Sequence, residues 1–303
     1  MRKKSWFLLF FLLGPNIAFT GEPEKILVVL TPVADIRSVP KDRAAGYSHD
    51  DLNETQVLYN EVLAYKGENA DWYQVQAREQ KEFTHNRSWQ GYPGWIRKEK
   101  VRFIKARPQY DIVITSLNAD ILKTPLPSAA ILISVSLGTR LKQTGQEGGY
   151  YKVLLADGSF GWIAENDAAR NEPLTSVDRE RQNITQEAKL FLGTPYLWGG
   201  RSGSAVDCSG LVNLAYRASG IDVPRDAHEQ WMLAKPIPKS ELKPADLIFL
   251  SKKDDPKTIV HVMLFLGKDD FIEAPGTGKT VRISHFTDYD TSGKKMYFGR
   301  LLP

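Results

Sequence analysis

The sequence predicts an α+β chain: two small β-barrels, then a mixed domain in which a helix precedes antiparallel strands. Three observations carry this reading. Two stretches, ILVVLTPVADIRSVP to GYPGWIRKEKV and DIVITSLNADILKTP to SFGWIAENDA, repeat one pattern of short apolar strands and turn residues. From Gly193 onward the pattern changes to an amphipathic helix followed by three apolar strands. The only cysteine, Cys208, opens that helix in DCSGLVNLAYRASG.

The 303 residues allow two or three domains, and 42% hydrophobic with 25% charged residues is the composition of an ordinary globular protein. Residues 1–20 read as a secretory signal. Arg2, Lys3 and Lys4 precede the apolar run Trp6–Leu13, and Ala18 and Thr20 offer small residues at a cleavage site. That run is shorter than the roughly 20 residues a membrane helix needs. An exported protein of the periplasm or cell envelope is expected, with no stable membrane span after signal removal. Of the formal charge of +4, the signal supplies +3, leaving +1, so the basic pI predicts no nucleic-acid partner.

The first barrel is expected over residues 21–105 and the second over 106–170. Each opens with a strand leading to Ala-Asp-Ile (Ala34-Asp35-Ile36 and Ala119-Asp120-Ile121) and closes with Gly-Trp-Ile (Gly94-Trp95-Ile96 and Gly161-Trp162-Ile163). Between these lie Gln56-Val57-Leu58 and Trp72-Tyr73-Gln74-Val75 in the first, and Ala130-Ile131-Leu132 and Tyr150-Tyr151-Lys152-Val153 in the second. Both resemble bacterial SH3-like domains. The polar segment Arg78–Gln90 reads as a long loop inserted in the first. Residues 171–192 read as a linking helix, capped by Thr175 or Ser176 and stopped by Gly193. In 193–303, helix Cys208–Ser219 ends at Gly220, and strands follow at Asp246–Leu250, His261–Gly267 and Asp270–Ala274.

A lone thiol forms no intramolecular disulfide, and in an oxidising compartment it is open to oxidation, so it calls for a function. The alternative is a buried, inert cysteine acting as a small hydrophobe. At a helix N-terminus the macrodipole and free amides favour a thiolate, and an imidazolium beside it does the same. His261, heading an apolar strand, is the candidate base. His49, His85, His228 and His285 read as ordinary loop, turn or strand-end residues. Alternation puts Glu273 on the face opposite Ile272, where it could orient His261 or be a solvated strand carboxylate. No CxxC or HExxH accompanies Cys208 and His261, so neither a metal nor another cofactor is expected.

GTPYLWGG, DCSGLV, PRD, PADLIFL and HVMLFLG…FIEA together resemble the NlpC family of papain-like cysteine peptidases that cut peptidoglycan stem peptides. With the two SH3-like units, the chain is most similar to the γ-D-glutamyl-L-diamino-acid endopeptidases. The resemblance implies a papain-like α+β catalytic domain with Cys208 as nucleophile and His261 as base. It places the Tyr196 hydroxyl near the oxyanion, beside Trp198. Asp207, Ser209 and Asp226 would line a subsite for a free L-Ala amine, capped by Tyr92, with Glu54 adding acidity. Asp207 and Asp226 also read as a helix cap and a turn residue. Three positions depart from the family pattern: Glu273 as third catalytic residue, Ala227 in place of a frequent serine, and Ala245 in place of a frequent glycine, a change expected to be tolerated. The implied partner is a stem peptide, L-Ala-γ-D-Glu-diamino acid (diaminopimelate or Lys). Alternatives are a non-catalytic wall-binding protein and an N-acetylmuramoyl-alanine amidase.

Overall fold

The computed structural model describes residues 24–43, 49–170 and 176–303, so the expected signal over 1–20 and the cap at Thr175 lie outside the described residues. No helix of the described residues is long and apolar enough to cross a membrane.

The first unit is an antiparallel sheet of β1 (Ile26–Val29), β2 (Val33–Arg37), β3 (Asn53–Leu58), β4 (Val62–Asn69), β5 (Trp72–Glu82), β6 (Gln90–Arg97) and β7 (Val101–Ile104). The second comprises β8 (Ile112–Ile114), β9 (Asn118–Leu122), β10 (Ile131–Ser136), β11 (Arg140–Glu147), β12 (Tyr150–Leu154), β13 (Phe160–Ala164) and β14 (Ala168–Arg170). Their strand orders, β3-β2-β6-β5-β4-β1-β7 and β10-β9-β13-β12-β11-β8-β14, are the same topology. Both are SH3-like, with open hydrogen-bonded ladders rather than closed barrels.

The sequence repeat has a steric cause. A Cβ on Gly94 would lie 2.4 Å from Ile36 Cγ2, and one on Gly161 would lie 2.3 Å from Ile121 Cγ2. The glycine of Gly-Trp-Ile makes room for the isoleucine of Ala-Asp-Ile, and both isoleucines are fully buried in their unit's core. The expected loop Arg78–Gln90 is shorter than its sequence suggests, because residues 78–82 are strand. β5 continues to Glu82 through a bulge between Ala77 and Lys81, and β6 begins at Gln90, leaving only residues 83–89 as a loop.

The third unit holds α1 (Val177–Leu190), α2 (Cys208–Ala218) and α3 (Ala227–Leu233). The hairpin β15 (Arg201–Ser202) and β16 (Ala205–Val206) precedes α2. A six-stranded sheet contains β17 (Lys235–Pro236), β18 (Leu247–Ser251), β19 (Ile259–Gly267), β20 (Asp270–Glu273), β21 (Arg282–His285) and β22 (Lys295–Arg300), in the order β17-β22-β18-β19-β20-β21. α1 starts at Ser176 and buries Ile184 and Ala188 in the same core as Leu211, Leu214 and Ala215 of α2. The three strands expected from sequence are β18 to β20. α3, with His228 on it, replaces the turn expected there. Ala245 sits at φ 68°, the left-handed region where glycine is unstrained, so alanine is accommodated there at a cost of about 1 kcal/mol.

Buried arginines join the third unit to the sheets. Arg201, 0% exposed, donates to Glu61 (2.6 Å) and to Asn213 (2.7 Å). Arg217 reaches the Gly138 carbonyl of the second unit at 2.7 Å and pairs with Glu79 of the first. Burial opposes the Glu61 charge, yet Arg201 and Arg217 hold its carboxyl below the usual range. Glu61→Ala strands the Arg201 charge in the interior and is expected to cost about 3–5 kcal/mol, read as a lowered midpoint in urea unfolding. A loss under about 1 kcal/mol would show that the pair does not hold this junction.

Candidate active site

The nucleophile candidate is placed by what surrounds the first turn of α2. Asp207 caps the helix, accepting from the Gly210 N–H at 2.6 Å. The same carboxylate takes a bidentate pair from Arg225 at 3.0 and 2.6 Å. Ser209 Oγ donates to Asp207 at 3.2 Å and accepts from Arg225 at 2.9 Å. The Tyr196–Gly200 loop lies directly on the helix: a Cβ on Gly210 would fall 2.2 Å from the Gly200 carbonyl oxygen. Cys208 is half-buried at the first helical position, where its N–H has no intrahelical acceptor.

His261 lies on β19. Its Nε2 is 3.0 Å from Glu273 Oε2, which leaves Nδ1 unengaged by Glu273, and Cys208 lines the same cleft. Burial disfavours the imidazolium. The Cys208 sulfur and the Glu273 carboxylate overcome that and push His261 up to about 9. Strand pairing explains why Glu273 reaches the ring. β19 and β20 pair Leu264 with Ile272 and Phe265 with Phe271. Extending that ladder sets Glu273 opposite Met263 and diagonal to His261.

Glu273 is fully buried, and its oxygens are fully engaged. Oε2 also accepts from the Tyr289 hydroxyl at 3.0 Å. Oε1 accepts from Ser284 at 2.9 Å and from Arg282 at 3.1 and 2.9 Å. Burial works against the charge, but His261, Ser284 and Arg282 bring the carboxyl down to about 2. Arg282, Ser284 and Tyr289 were not legible as site residues. The pairing of Glu273 with Arg282 across β20 and β21 is the signal, and it is a tertiary one.

A cleft of about 700 Å³ is lined by Cys208, His261, Tyr196, Trp198, Asp207, Ser209, Asp226, Tyr92 and Glu54. Thus all the residues expected from sequence share one cavity except Glu273, which stands behind His261. Asp226 opens α3 but makes no side-chain cap bond; its Oδ2 accepts instead from Tyr92 Oη at 3.0 Å. Tyr92 Oη also lies 3.4 Å from Glu54. Burial, with Glu229 and Asp207 nearby, pushes the Asp226 carboxyl up to about 7 against the pull of Arg225. His85 and His228, read as ordinary residues, line the same wall. The residue 83–89 loop is docked there by Glu229, which accepts from the Thr84 N–H at 3.3 Å and from its hydroxyl. Trp198 is 45% exposed at the rim, tilted against His49 at 5.4 Å. The Tyr196 hydroxyl has no partner among the described residues, and burial, Cys208 and Asp207 raise its pKa, keeping it a donor. Among the described residues no cluster of His, Cys, Asp or Glu has the arrangement of a metal site.

The model of the NlpC/P60 family matches residues 193–298. A γ-D-glutamyl-L-lysine dipeptidyl-peptidase of Bacillus subtilis is 31% identical over 82% of this chain and 80% of its own length. A second protein so named, from Bacillus cereus, is 28% identical over 82% of this chain and 74% of its own. The murein DD-endopeptidase MepH of Escherichia coli is 34% identical over 45% of this chain and 49% of its own. In fold, the crystal structure of an NlpC/P60 family protein from Bacillus cereus superposes with a TM-score of 0.79 at 24% identity, covering 92% of this chain and all of that one.

The His261 environment yields an expected titration. Followed by NMR of its ring protons, the imidazolium should persist to about pH 9. Glu273→Gln removes a charge that favours the proton and should move the midpoint down by on the order of one unit. An unmoved midpoint would mean that Glu273 orients the ring without holding its charge.

Proposed function

We propose, from the premise that this chain belongs to the NlpC/P60 family, that it is an exported cysteine endopeptidase. It hydrolyses the γ-D-Glu–diamino acid bond of peptidoglycan stem peptides whose L-Ala amine is free. The observation that carries this reading is a cleft lined by Cys208, His261 and Asp226, with Glu273 behind His261 and bonded to its ring. In this reading residues 193–303 do the chemistry, while 21–105 and 106–170 form its β-rich flank.

Cys208 Sγ attacks the γ-carbonyl carbon of D-Glu, and the negative charge gathers on the carbonyl oxygen. The Cys208 N–H and the Tyr196 hydroxyl are the donors for that oxygen. His261, charged through its Cys208 and Glu273 contacts, gives its proton to the departing amine as the C–N bond breaks. The thioester is then attacked by water. His261 takes the water's proton, the C–S bond breaks, and Cys208 is regenerated. Glu273, fixed by Arg282, Ser284 and Tyr289, holds the ring through both proton transfers.

The amine subsite falls to Asp226. Asp207 already has both oxygens on Arg225 and one on the helix N–H, so its charge is matched within the protein. Asp226 has no such partner: Arg225 stands off at 3.7 Å, and Tyr92 donates a single hydrogen bond. An ammonium arriving there would favour the charged carboxylate. An amidase would instead need room for a glycan beyond this end, where Tyr92, Glu54 and His85 form the wall. The 3.0 Å bond between Glu273 and His261 counts against the non-catalytic alternative.

The wild-type protein should release L-Ala-D-Glu from L-Ala-γ-D-Glu-diaminopimelate, and Cys208→Ala should release none. Asp226→Asn should raise KM by on the order of tenfold for free-amine peptides and erase the preference over N-acetylated ones. For wild type, kcat/KM should fall as pH drops through about 7, because Asp226 takes a proton there and loses its hold on the ammonium. No L-Ala-D-Glu from the wild type overturns the assignment.

A further inference from the structure

The catalytic cleft is charged oppositely at its two ends. Asp226, with Glu54 beside Tyr92, marks one end, next to Asp207 and Cys208. Lys252 and Lys294 line the other, with Leu250 and Tyr289, on the His261 and Glu273 side. The two lysines are neighbours by strand register. β18 and β22 pair Leu250 with Met296 and, as the last pair of the ladder, Ser251 with Lys295, so Lys252 and Lys294 each stand one residue beyond it.

Like charges held close together repel one another. Neither ammonium has a side-chain hydrogen bond or ion pair among the described residues. The carboxylates lining the catalytic cleft, Glu54, Asp207, Asp226 and Glu229, belong to the Cys208 and α3 side. An adjoining cavity of about 540 Å³ shares Leu250, Pro275, Tyr289 and Lys294 with the cleft. Its walls add Lys279 and the carboxylates Asp288 and Asp290, of which Asp290 is occupied with the Ser292 N–H at 2.7 Å.

We propose that Lys252 and Lys294 form a carboxylate-binding subsite for the residue on the leaving side of the scissile bond. The enzyme would then prefer a diamino acid that carries a second carboxylate on its side chain over lysine. The inference rests on the endopeptidase reading above, because that reading puts the free amine at Asp226 and so gives this end of the cleft to the leaving group. A lysine at the same place would bring only its own ammonium toward two others, while the side-chain end of diaminopimelate carries a carboxylate beside its ammonium and so offers the pair a counter-charge.

The test compares kcat/KM for L-Ala-γ-D-Glu-diaminopimelate, the same peptide with its side-chain carboxylate amidated, and L-Ala-γ-D-Glu-Lys. Wild type, Lys252→Gln, Lys294→Gln and the double variant are assayed, with unchanged melting temperatures as the folding control. Wild type should favour the diaminopimelate peptide by roughly tenfold over the other two, chiefly through KM, and less so at raised salt. The double variant should lower kcat/KM for the diaminopimelate peptide and raise it for the Lys peptide, bringing the ratio to within about twofold. Equal cleavage of all three by wild type, or a ratio the double variant leaves intact, overturns the subsite while leaving the endopeptidase reading in place. A fourth peptide with D-isoglutamine in place of D-Glu separates the other carboxylate source. If the variants lose their effect on that peptide, the lysines serve the acyl side and the proposal is wrong. Cleavage of no peptide by wild type removes the endopeptidase reading and this subsite with it.

Discussion

The guanidinium of Arg225 is the contact on which the site's architecture turns. It is fully buried and makes five hydrogen bonds: two to Asp207 and one each to Ser209, the Gly200 carbonyl and Thr55. Each partner belongs to a different piece of the machinery. Asp207 caps the nucleophile's helix, Gly200 ends the loop that carries Tyr196 and Trp198, and Thr55 lies in the first sheet. The Arg225 N–H also donates to the Lys81 carbonyl at 3.0 Å, on the bulged extension of β5. A lysine has neither the planar fork nor the five donors to replace it. A buried charge of this kind is tolerable only because every N–H is matched, so the geometry admits little variation. The next residue is Asp226, so the clamp that sets the nucleophile also sets the acidic end of the cleft.

A second buried network acts on the opposite side of the chemistry. Glu273 accepts from His261, Tyr289, Ser284 and Arg282, and so is both oriented and held ionised. Glutamate, a departure from the family pattern at this position, is accommodated because Glu273 is diagonal to His261 in the ladder. Its surplus lone pairs are taken by β21 and by Tyr289. The two networks flank the cleft that Cys208 and His261 line. One fixes the helix and the other fixes the strand, so the sulfur and the imidazole face each other without a covalent or metal link.

Local pattern made the main helix and strands of the third unit legible, because a helix start and an apolar strand each have a short signature. The repeat was legible for a steric reason: glycine in Gly-Trp-Ile and isoleucine in Ala-Asp-Ile must be chosen together. What the sequence hid were contacts between distant segments. The polar stretch Arg78–Glu82 looks like loop by composition, yet it forms strand because its side chains and backbone meet Arg225 and Arg217 of another unit. α3 was missed because seven residues behind an Arg-Asp turn give little helical period, and its Glu229 is buried only through Thr84. The partners of Glu273 were missed because register, not spacing, brings Arg282 and Ser284 to it.

These placements give the first sheet a role beyond support. It supplies Thr55 to the Arg225 clamp, Glu61 to Arg201, and Tyr92, Glu54 and the residue 83–89 loop to the wall of the cleft. A catalytic domain alone would keep Cys208, His261 and Glu273. It would leave Asp226 without Tyr92, Arg225 without Thr55, and the amine end of the cleft open to solvent. Opening that end would weaken the attraction between Asp226 and an ammonium, since water would screen both. It would also admit chains that extend past the amine. In the proposed function, selectivity for a short peptide with a free N-terminus is therefore a property of the junction between units, and the buried arginines that hold the junction bear on it.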